Sequence, residues 1–262
     1  MINKDISIKA IIPAHMASIR FPGKILLPFF GYPMIEHVRR RALLSEKIND
    51  VYVATCDQKI ADAVTAHGGK VISTGDQHLN GTSRVAEAVE ELEASHVVLL
   101  QGDEPLLLPT YLDSVIDAIT KKPDGDAWNG TGPIESIEEL DRHSFVKCAV
   151  SPEDHIMYCF RRGPSHAPIE QQQTYIRKIL GIIAFRKDFL LKLVQFAPAR
   201  TEISESIEQM RIIENGHKLI SVPFDESLPS VNEPKEADIV MKHINENTTQ
   251  KEIISKTFGI DL

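Results

Sequence analysis

The sequence predicts an α/β fold: a mostly parallel sheet with helices on both faces. Three observations carry the expectation. Apolar runs of strand length alternate four times with segments of helical period before Lys121. The runs are nearly continuous rather than alternating, as strands buried on both faces are. The first of them feeds directly into a basic loop, which α/β proteins place at the carboxyl edge of the sheet, where phosphate is held.

That first run is Ala10-Ile11-Ile12, closed by Pro13. Eleven residues without a clean period follow, Ala14 to Lys24, setting His15, Ser18, Arg20 and Lys24 among small residues and a Pro-Gly pair. Arg20 and Lys24 offer charge to a phosphate, and backbone N–H groups the remaining hydrogen bonds. The alternative is a solvated surface loop, since neither common glycine-rich phosphate pattern is present. Pro33 opens a helix where its missing N–H costs nothing, with Ile35, Val38 and Ala42 at helical spacing to about Ser45. Val51–Thr55 is the second strand. Asp57 is the N-cap of a helix carrying Ile60 and Val64, ended by Gly68-Gly69. Lys70–Ser73 is the third strand, and helix Ser83–Glu93 buries Val85, Val89 and Leu92. His96–Leu100 is the fourth, followed by a helix from about Thr110 to Thr120.

The rhythm breaks at Lys121–Gly125. Between about 125 and 175 come short strands, Phe145–Val150 and His155–Phe160, and a Pro-rich polar loop, Arg161–Gln173. We expect an inserted β-rich subdomain within a single domain of 262 residues, because the α/β pattern then resumes. Strand Lys178–Arg186 leads to helices Lys187–Gln195 and Ser204–Asn215, with Ile203, Ile207, Met210 and Ile213 on one stripe. Strand Lys218–Pro223, helix Pro234–Ile244 and a short terminal helix complete the chain.

Composition narrows the function. An apolar fraction of 42% and a charged fraction of 25% are those of an ordinary globular protein. No apolar run approaches the ~20 residues of a membrane span, and MINKDISIKAII is too polar for a signal peptide. A cytoplasmic protein without membrane contact is expected. Cys56, Cys148 and Cys159 form no C-x-x-C pair, which points to buried reduced thiols rather than disulfides or zinc. A net charge of −8 argues against nucleic-acid binding and sets off the basic cluster around Arg20.

Two further stretches carry chemistry. Gln101-Gly102-Asp103-Glu104-Pro105 puts a carboxylate just past a buried strand, at the same edge as the basic loop. Beside a triphosphate, that placement calls for a hard divalent cation, most naturally Mg²⁺. Standing alone, Asp103 would read as a turn-capping aspartate. Asn80-Gly81-Thr82-Ser83-Arg84 opens a helix and by itself is a turn and an N-cap.

Together these stretches resemble one family. PAHMASIRFPGK is similar to the N-terminal nucleotide-binding signature of the sugar-acid cytidylyltransferases, which in the CMP-Kdo synthetase branch (3-deoxy-manno-octulosonate cytidylyltransferases) reads P-A-R-x-x-S-x-R-x-P-G-K. Pro13, Ala14, Ser18, Arg20, Pro22, Gly23 and Lys24 match; His15 stands where the family has arginine. Q-G-D-E-P resembles the family's metal-binding motif letter for letter. Gly81, Thr82 and Arg84 match its S-G-T-E-R, while Asn80 and Ser83 do not. Phe145-Val146-Lys147 resembles its V-K strand, Tyr158 and Arg161 its Y-x-x-R, and Glu208-Gln209-x-Arg211 its E-Q-L-R. The matches run in order from about Lys9 to Ala237.

The resemblance implies a Rossmann-like sheet of the nucleotide-diphospho-sugar transferase type, with the inserted region joining a homodimer. It implies Mg²⁺-dependent transfer of CMP from CTP to a small anionic acceptor, a 2-keto-3-deoxy sugar acid such as Kdo, in lipopolysaccharide biosynthesis. Pro13, Ala14, His15, Ser18, Arg20, Lys24, Gly81, Thr82 and Gln101 would bind the nucleotide, with Arg20, Lys24 and Asp103 catalytic. Arg84, Arg161, Glu208 and Gln209 would bind the acceptor, and Asp103 and Asn232 the metal.

The departures qualify this. The family's V-D-T-P-E-D is here Val231-Asn232-Glu233-Pro234-Lys235-Glu236, so a neutral oxygen replaces a charged ligand. His15 exchanges a fixed cation for a titratable one. The family's R-H-L-G-I-Y-G-Y is here Lys178 to Phe185, KILGIIAF. Strand alternation puts Ile179, Gly181, Ile183 and Phe185 on one face, and losing polar donors there implies a different acceptor, a modified 2-keto sugar acid. A CTP-binding homologue without turnover and an unrelated α/β enzyme are the rival classes. The missing dinucleotide glycine pattern speaks against a dehydrogenase.

Overall fold

The computed structural model describes residues 6–18, 20–48, 50–163 and 165–262. They form two compact units. One comprises the chain up to Asp113 together with Leu228–Leu262, the other Ser114–Ser227.

The first unit is built on β1 (Ile8–Pro13). A small hairpin, β2 (Pro28–Phe29) and β3 (Tyr32–Pro33), precedes α1 (Met34–Ala42). Then follow β4 (Val51–Thr55), α2 (Gln58–Thr65), β5 (Lys70–Ser73), α3 (Gly81–Glu90), β6 (His96–Leu100) and α4 (Pro109–Lys121), which ends in the second unit. Within this unit the strand order is β6-β1-β4-β5, all parallel, with Ala10 beside Val51 on one side and Val98 on the other. Ala10, Ile11, Ile12, Val53, Val97 and Val98 are fully buried. The continuous apolar runs thus have the two-sided cover that they required, each large side chain worth about 1.5–3 kcal/mol. Parallel strands all end at one edge, so Ala14, Cys56 and Gln101 emerge together.

Local differences have local causes. Pro33 is the N-cap of α1, and the helix begins at Met34. Asp57 stands at the N-cap of α2 but does not cap it; its Oδ2 accepts from the Met16 N–H at 2.8 Å, tying down the basic loop. Helix α3 starts earlier than expected because the Asn80 Oδ1 accepts from the Ser83 N–H at 2.9 Å, and Leu92 falls outside it. All three cysteines are free thiols; Cys148 and Cys159 are buried, whereas Cys56 is exposed.

The second unit contains β7 (Ala127–Gly132), α5 (Ile137–Asp141), β8 (Lys147–Val150), β9 (Ile156–Phe160), α6 (Ile169–Gln172), β10 (Ile176–Arg186), α7 (Lys187–Leu193), α8 (Arg200–Glu205), α9 (Gln209–Glu214) and β11 (Leu219–Pro223). Strand β7 lies between β11, parallel, and β10, antiparallel; β8 pairs with β10 and β9. Two expectations fail here. Alternation along β10 is interrupted by an irregularity between Ile179 and Ile183, so Ile182 to Phe185 are buried consecutively while Ile179 and Gly181 are partly exposed. The expected helix Ser204–Asn215 is two helices, split at Ser206 in the left-handed conformation (φ 54°). The split resets the phase: Ile207, Met210 and Ile212 are buried, Ile203 is 68% exposed and Ile213 only half-buried.

The chain then returns to the first unit as α10 (Pro234–Glu246) and α11 (Thr248–Phe258). Val240, Ile244 and Ile254 pack with Phe29, Met34, Leu106 and Val231. Among the described residues no helix is long and apolar enough to cross a membrane.

Candidate active site

The carboxyl ends of β1 and β6 form one side of a cleft of ≈ 190 Å³ within the first unit. Its wall takes Pro13, Ala14, His15 and Ser18 from the basic loop and Lys24 from the turn that closes it. Gln101 and Asp103 come from the end of β6, and His78 to Gly81 with Arg84 from the start of α3. The sequence thus placed most of its nucleotide candidates at one edge, and the structure gathers them there.

Gly23 takes φ +75°, a conformation that suits glycine, and swings Lys24 inward. The Lys24 Nζ donates to Asp103 Oδ2 at 2.5 Å and to the Val231 carbonyl at 2.9 Å. The backbone N–H of Val231 in turn donates to the Asp103 carbonyl at 2.9 Å. The segment after α9 and β11 is thereby stitched to the end of β6, which brings Asn232 to the site. Asn232 Oδ1 accepts from Arg20 Nη2 at 2.7 Å, while its Nδ2 donates to Ser230 Oγ at 2.9 Å and so keeps the amide oxygen turned toward the cation. Gly102 lets this turn lie on Ile25; a Cβ there would come within 2.5 Å of Ile25 Cδ1.

The opposite wall is tied down by α3. Arg84, buried, donates from Nη1 to Thr74 Oγ1 at 2.5 Å and to the Gly75 carbonyl at 3.1 Å. His78 bonds Glu87 through Nε2 and Ser83 Oγ through Nδ1 (3.1 Å), and Glu87 Oε1 accepts from the Gly75 N–H at 3.0 Å. The His78 hydrogen bond holds the Glu87 carboxyl below its usual range. Sequence reasoning missed His78 and Glu87. The available signal was the polar set Asn80, Ser83, Arg84 and Glu87, which falls on one helix face. Thr82 sits in the first turn of α3 and is not part of the cleft wall.

Three acceptor candidates lie in the second unit. The Arg161 guanidinium donates to three backbone carbonyls, those of Glu205 (2.9 Å), His143 (2.8 Å) and Ser206 (3.0 Å). Gln209 Nε2 donates to Asn129 Oδ1 at 3.1 Å, and Glu208 stands at the N-cap of α9. Lys147 is fully buried and donates to the Arg142 and Arg161 carbonyls; burial, then the Arg161 charge, lower its pKa to about 8.

As a cation site, Asp103 and Asn232 offer one carboxylate and one amide oxygen. Among the described residues no group of three or more His, Cys, Asp or Glu side chains forms a metal cage. Two hard oxygen donors fit a cation that keeps several waters and takes phosphate oxygens, and do not fit zinc.

Comparison with known proteins decides the family. A model described as "Cytidylyltransferase" matches residues 9–220. This chain belongs to the cytidylyltransferase family. It is 34% identical over 252 residues to a 3-deoxy-manno-octulosonate cytidylyltransferase of Geotalea daltonii, covering 91% of this chain and 98% of that one. It is 36% identical over 239 residues to an 8-amino-3,8-dideoxy-manno-octulosonate cytidylyltransferase of Shewanella piezotolerans, covering 89% and 96%. A solved structure of CMP:2-keto-3-deoxy-manno-octonic acid synthetase complexed with CTP matches with a TM-score of 0.86 at 32% identity, over 92% of this chain and 99% of that one. The cytidylyltransferase has the α/β class with a mostly parallel sheet that its sequence predicts, and the resemblance read from its motifs holds.

Proposed function

We propose that this cytidylyltransferase transfers CMP from CTP to a 2-keto-3-deoxy sugar acid, Kdo or its 8-amino analogue, with release of pyrophosphate. The observation that carries the reading is the paired arrangement of Lys24 on Asp103 and Arg20 on Asn232 at the carboxyl edge of the sheet. Relatives bearing both acceptor names support the substrate class.

An acceptor hydroxyl attacks the α-phosphorus of CTP in line; the new O–P bond forms as the bond from the α-phosphorus to the oxygen bridging to the β-phosphate breaks, pyrophosphate leaves, and the hydroxyl proton passes to water. In the free chain Lys24 and Asp103 neutralise one another. Lys24 and Arg20 offer their charges to the triphosphate oxygens, and the Asp103 carboxylate, with the Asn232 amide oxygen, would hold Mg²⁺ there. The cation supplies positive charge to the phosphate oxygens. The protein's part is positioning and charge neutralisation rather than covalent chemistry. Pro13, Ala14, His15, Ser18, Gly81 and Gln101 complete the nucleotide site, and Arg84 in the cleft wall is the proposed acceptor contact. A cytoplasmic homodimer joined through the inserted β-rich region is part of the same proposal.

The test is pyrophosphate release from CTP and Mg²⁺ with Kdo, the 8-amino analogue, sialic acid and other 2-keto sugar acids as acceptors. Release with either Kdo compound supports the reading. Silence with all of them, while CTP binding is measured separately, favours an untested acceptor or a nucleotide-binding homologue without turnover, the latter motivated by Asn232 and His15. The same assay takes Asn232→Asp. A full charge at position 232 is expected to lower the Mg²⁺ concentration for half-maximal rate several-fold; an unchanged requirement would mean that position 232 is not a ligand.

A further inference from the structure

The two buried thiols of the second unit face one another. Cys148 on β8 stands directly opposite Cys159 on β9 in the antiparallel register, and opposite residues of a ladder point their side chains to the same face. Both are fully buried. Residues 149–158 separate them in the chain, so no spacing motif announces the pair. The flanking hydrogen bonds fix what kind of pair it is. The Val150 N–H donates to the Tyr175 carbonyl at 2.8 Å, and the Ile179 N–H to the Val146 carbonyl at 2.9 Å. Val146 and Val150 lie two residues either side of Cys148, so its backbone groups also point toward β10. The Cys159 N–H likewise turns away from β8, donating to Met210 Sδ at 3.1 Å. Cys148 and Cys159 are therefore a non-hydrogen-bonded pair, the closer of the two kinds, with Cα atoms about 4.5 Å apart. Disulfides span about 4.4–6.8 Å between Cα atoms. A bridge needs no movement of the strands, and the short end of that range makes it strained and reducible.

We propose that Cys148 and Cys159 are a redox modification site, a cross-strand thiol pair that a low-molecular-weight disulfide such as oxidised glutathione converts reversibly to a disulfide. One thiolate attacks a glutathione sulfur, forming a mixed disulfide and releasing one glutathione; the second cysteine then displaces the other glutathione. Two S–H bonds are lost and one S–S bond forms, while the oxidant's S–S bond is reduced and its sulfurs take up the two protons. Access, not geometry, sets the rate. Burial pushes the Cys148 thiol up to about 12 and the Cys159 thiol well above its usual value, so thiolate is scarce in the closed fold. Among the described strands β9 pairs only with β8. Local opening of that edge admits the oxidant.

The test uses Cys56→Ser, which removes the exposed thiol. The protein is held with oxidised and reduced glutathione until its intact mass stops changing, once without urea and once with urea below the unfolding transition. The expected product is lighter by two hydrogens, yields a Cys148–Cys159 linked peptide on non-reducing digestion, and returns to two free thiols with dithiothreitol. Urea is expected to speed the conversion severalfold without changing the product, because opening limits it. The same protein carrying Cys148→Ala should never lose two hydrogens. Two free thiols at the end of both incubations would overturn the proposal. So would glutathione retained on one cysteine, or a linkage that forms only where near-ultraviolet circular dichroism shows the fold to be lost.

Discussion

Asp103→Ala is expected to lower kcat for CMP transfer by at least about a thousandfold, on the scale of removing a main electrostatic element from an active site. Among the described residues Asp103 is the one carboxylate in the cleft wall, so none of them there replaces it. Lys24, Arg20 and Asn232 remain, and the site loses the negative charge that pairs with Lys24. Two consequences separate this loss from unfolding. The stitch to the C-terminal segment uses the backbone carbonyl of Asp103, which alanine retains, so the thermal midpoint should hold. Freed from its partner, Lys24 should also bind the triphosphate of CTP at least as tightly as before when no Mg²⁺ is added. Turnover that survives the substitution would remove Asp103 as the metal ligand.

The same residues explain what the sequence could and could not disclose. Strands β1, β4 and β6 were legible within a residue or two because burial on both faces demands uninterrupted apolar runs. The cleft was legible because its parts leave the ends of those strands. Strand β7 was not. Its six residues, Ala-Trp-Asn-Gly-Thr-Gly, are all buried, but the polar ones find partners far along the chain. Asn129 Nδ2 donates to the Leu180 and Ile182 carbonyls, and Thr131 Oγ1 meets Ser221 Oγ at 2.7 Å. Gly130 is small because Ile182 and Phe224 press on it, with a Cβ coming within 2.6 Å of each. No local pattern carries that information. Asp57 shows the same limit on a smaller scale. Its position at a helix start was read correctly, but its carboxylate serves the Met16 N–H on another strand's loop. Arg161 matched a motif, and only the fold reveals that three carbonyls already occupy its guanidinium.

Acid should destabilise the protein through His37. The ring is fully buried on α1, 4.4 Å from Phe258 and 5.9 Å from Phe29 between ring centres. Its Nε2 donates to the Phe29 carbonyl at 2.8 Å, while Nδ1 has no partner among the described residues. Burial, with the Arg41 and Arg40 charges acting in the same direction and the Phe29 bond opposing, lowers its pKa from 6.5 to about 4. Between those values the unfolded chain takes up a proton that the folded chain refuses, so stability falls as pH falls. The contribution is complete above about pH 6.5 and lost as the pH drops through 4. At about 1.4 kcal/mol per pH unit the loss reaches about 3 kcal/mol, a large part of a domain's stability. Urea midpoints from pH 7 down to 4.5 should fall more steeply for the wild type than for His37→Gln, whose amide can donate to Phe29 but cannot take the proton. The neutral-pH cost of that substitution does not affect the comparison, because the readout is the slope. Parallel slopes would mean that His37 is not the group that limits stability in acid.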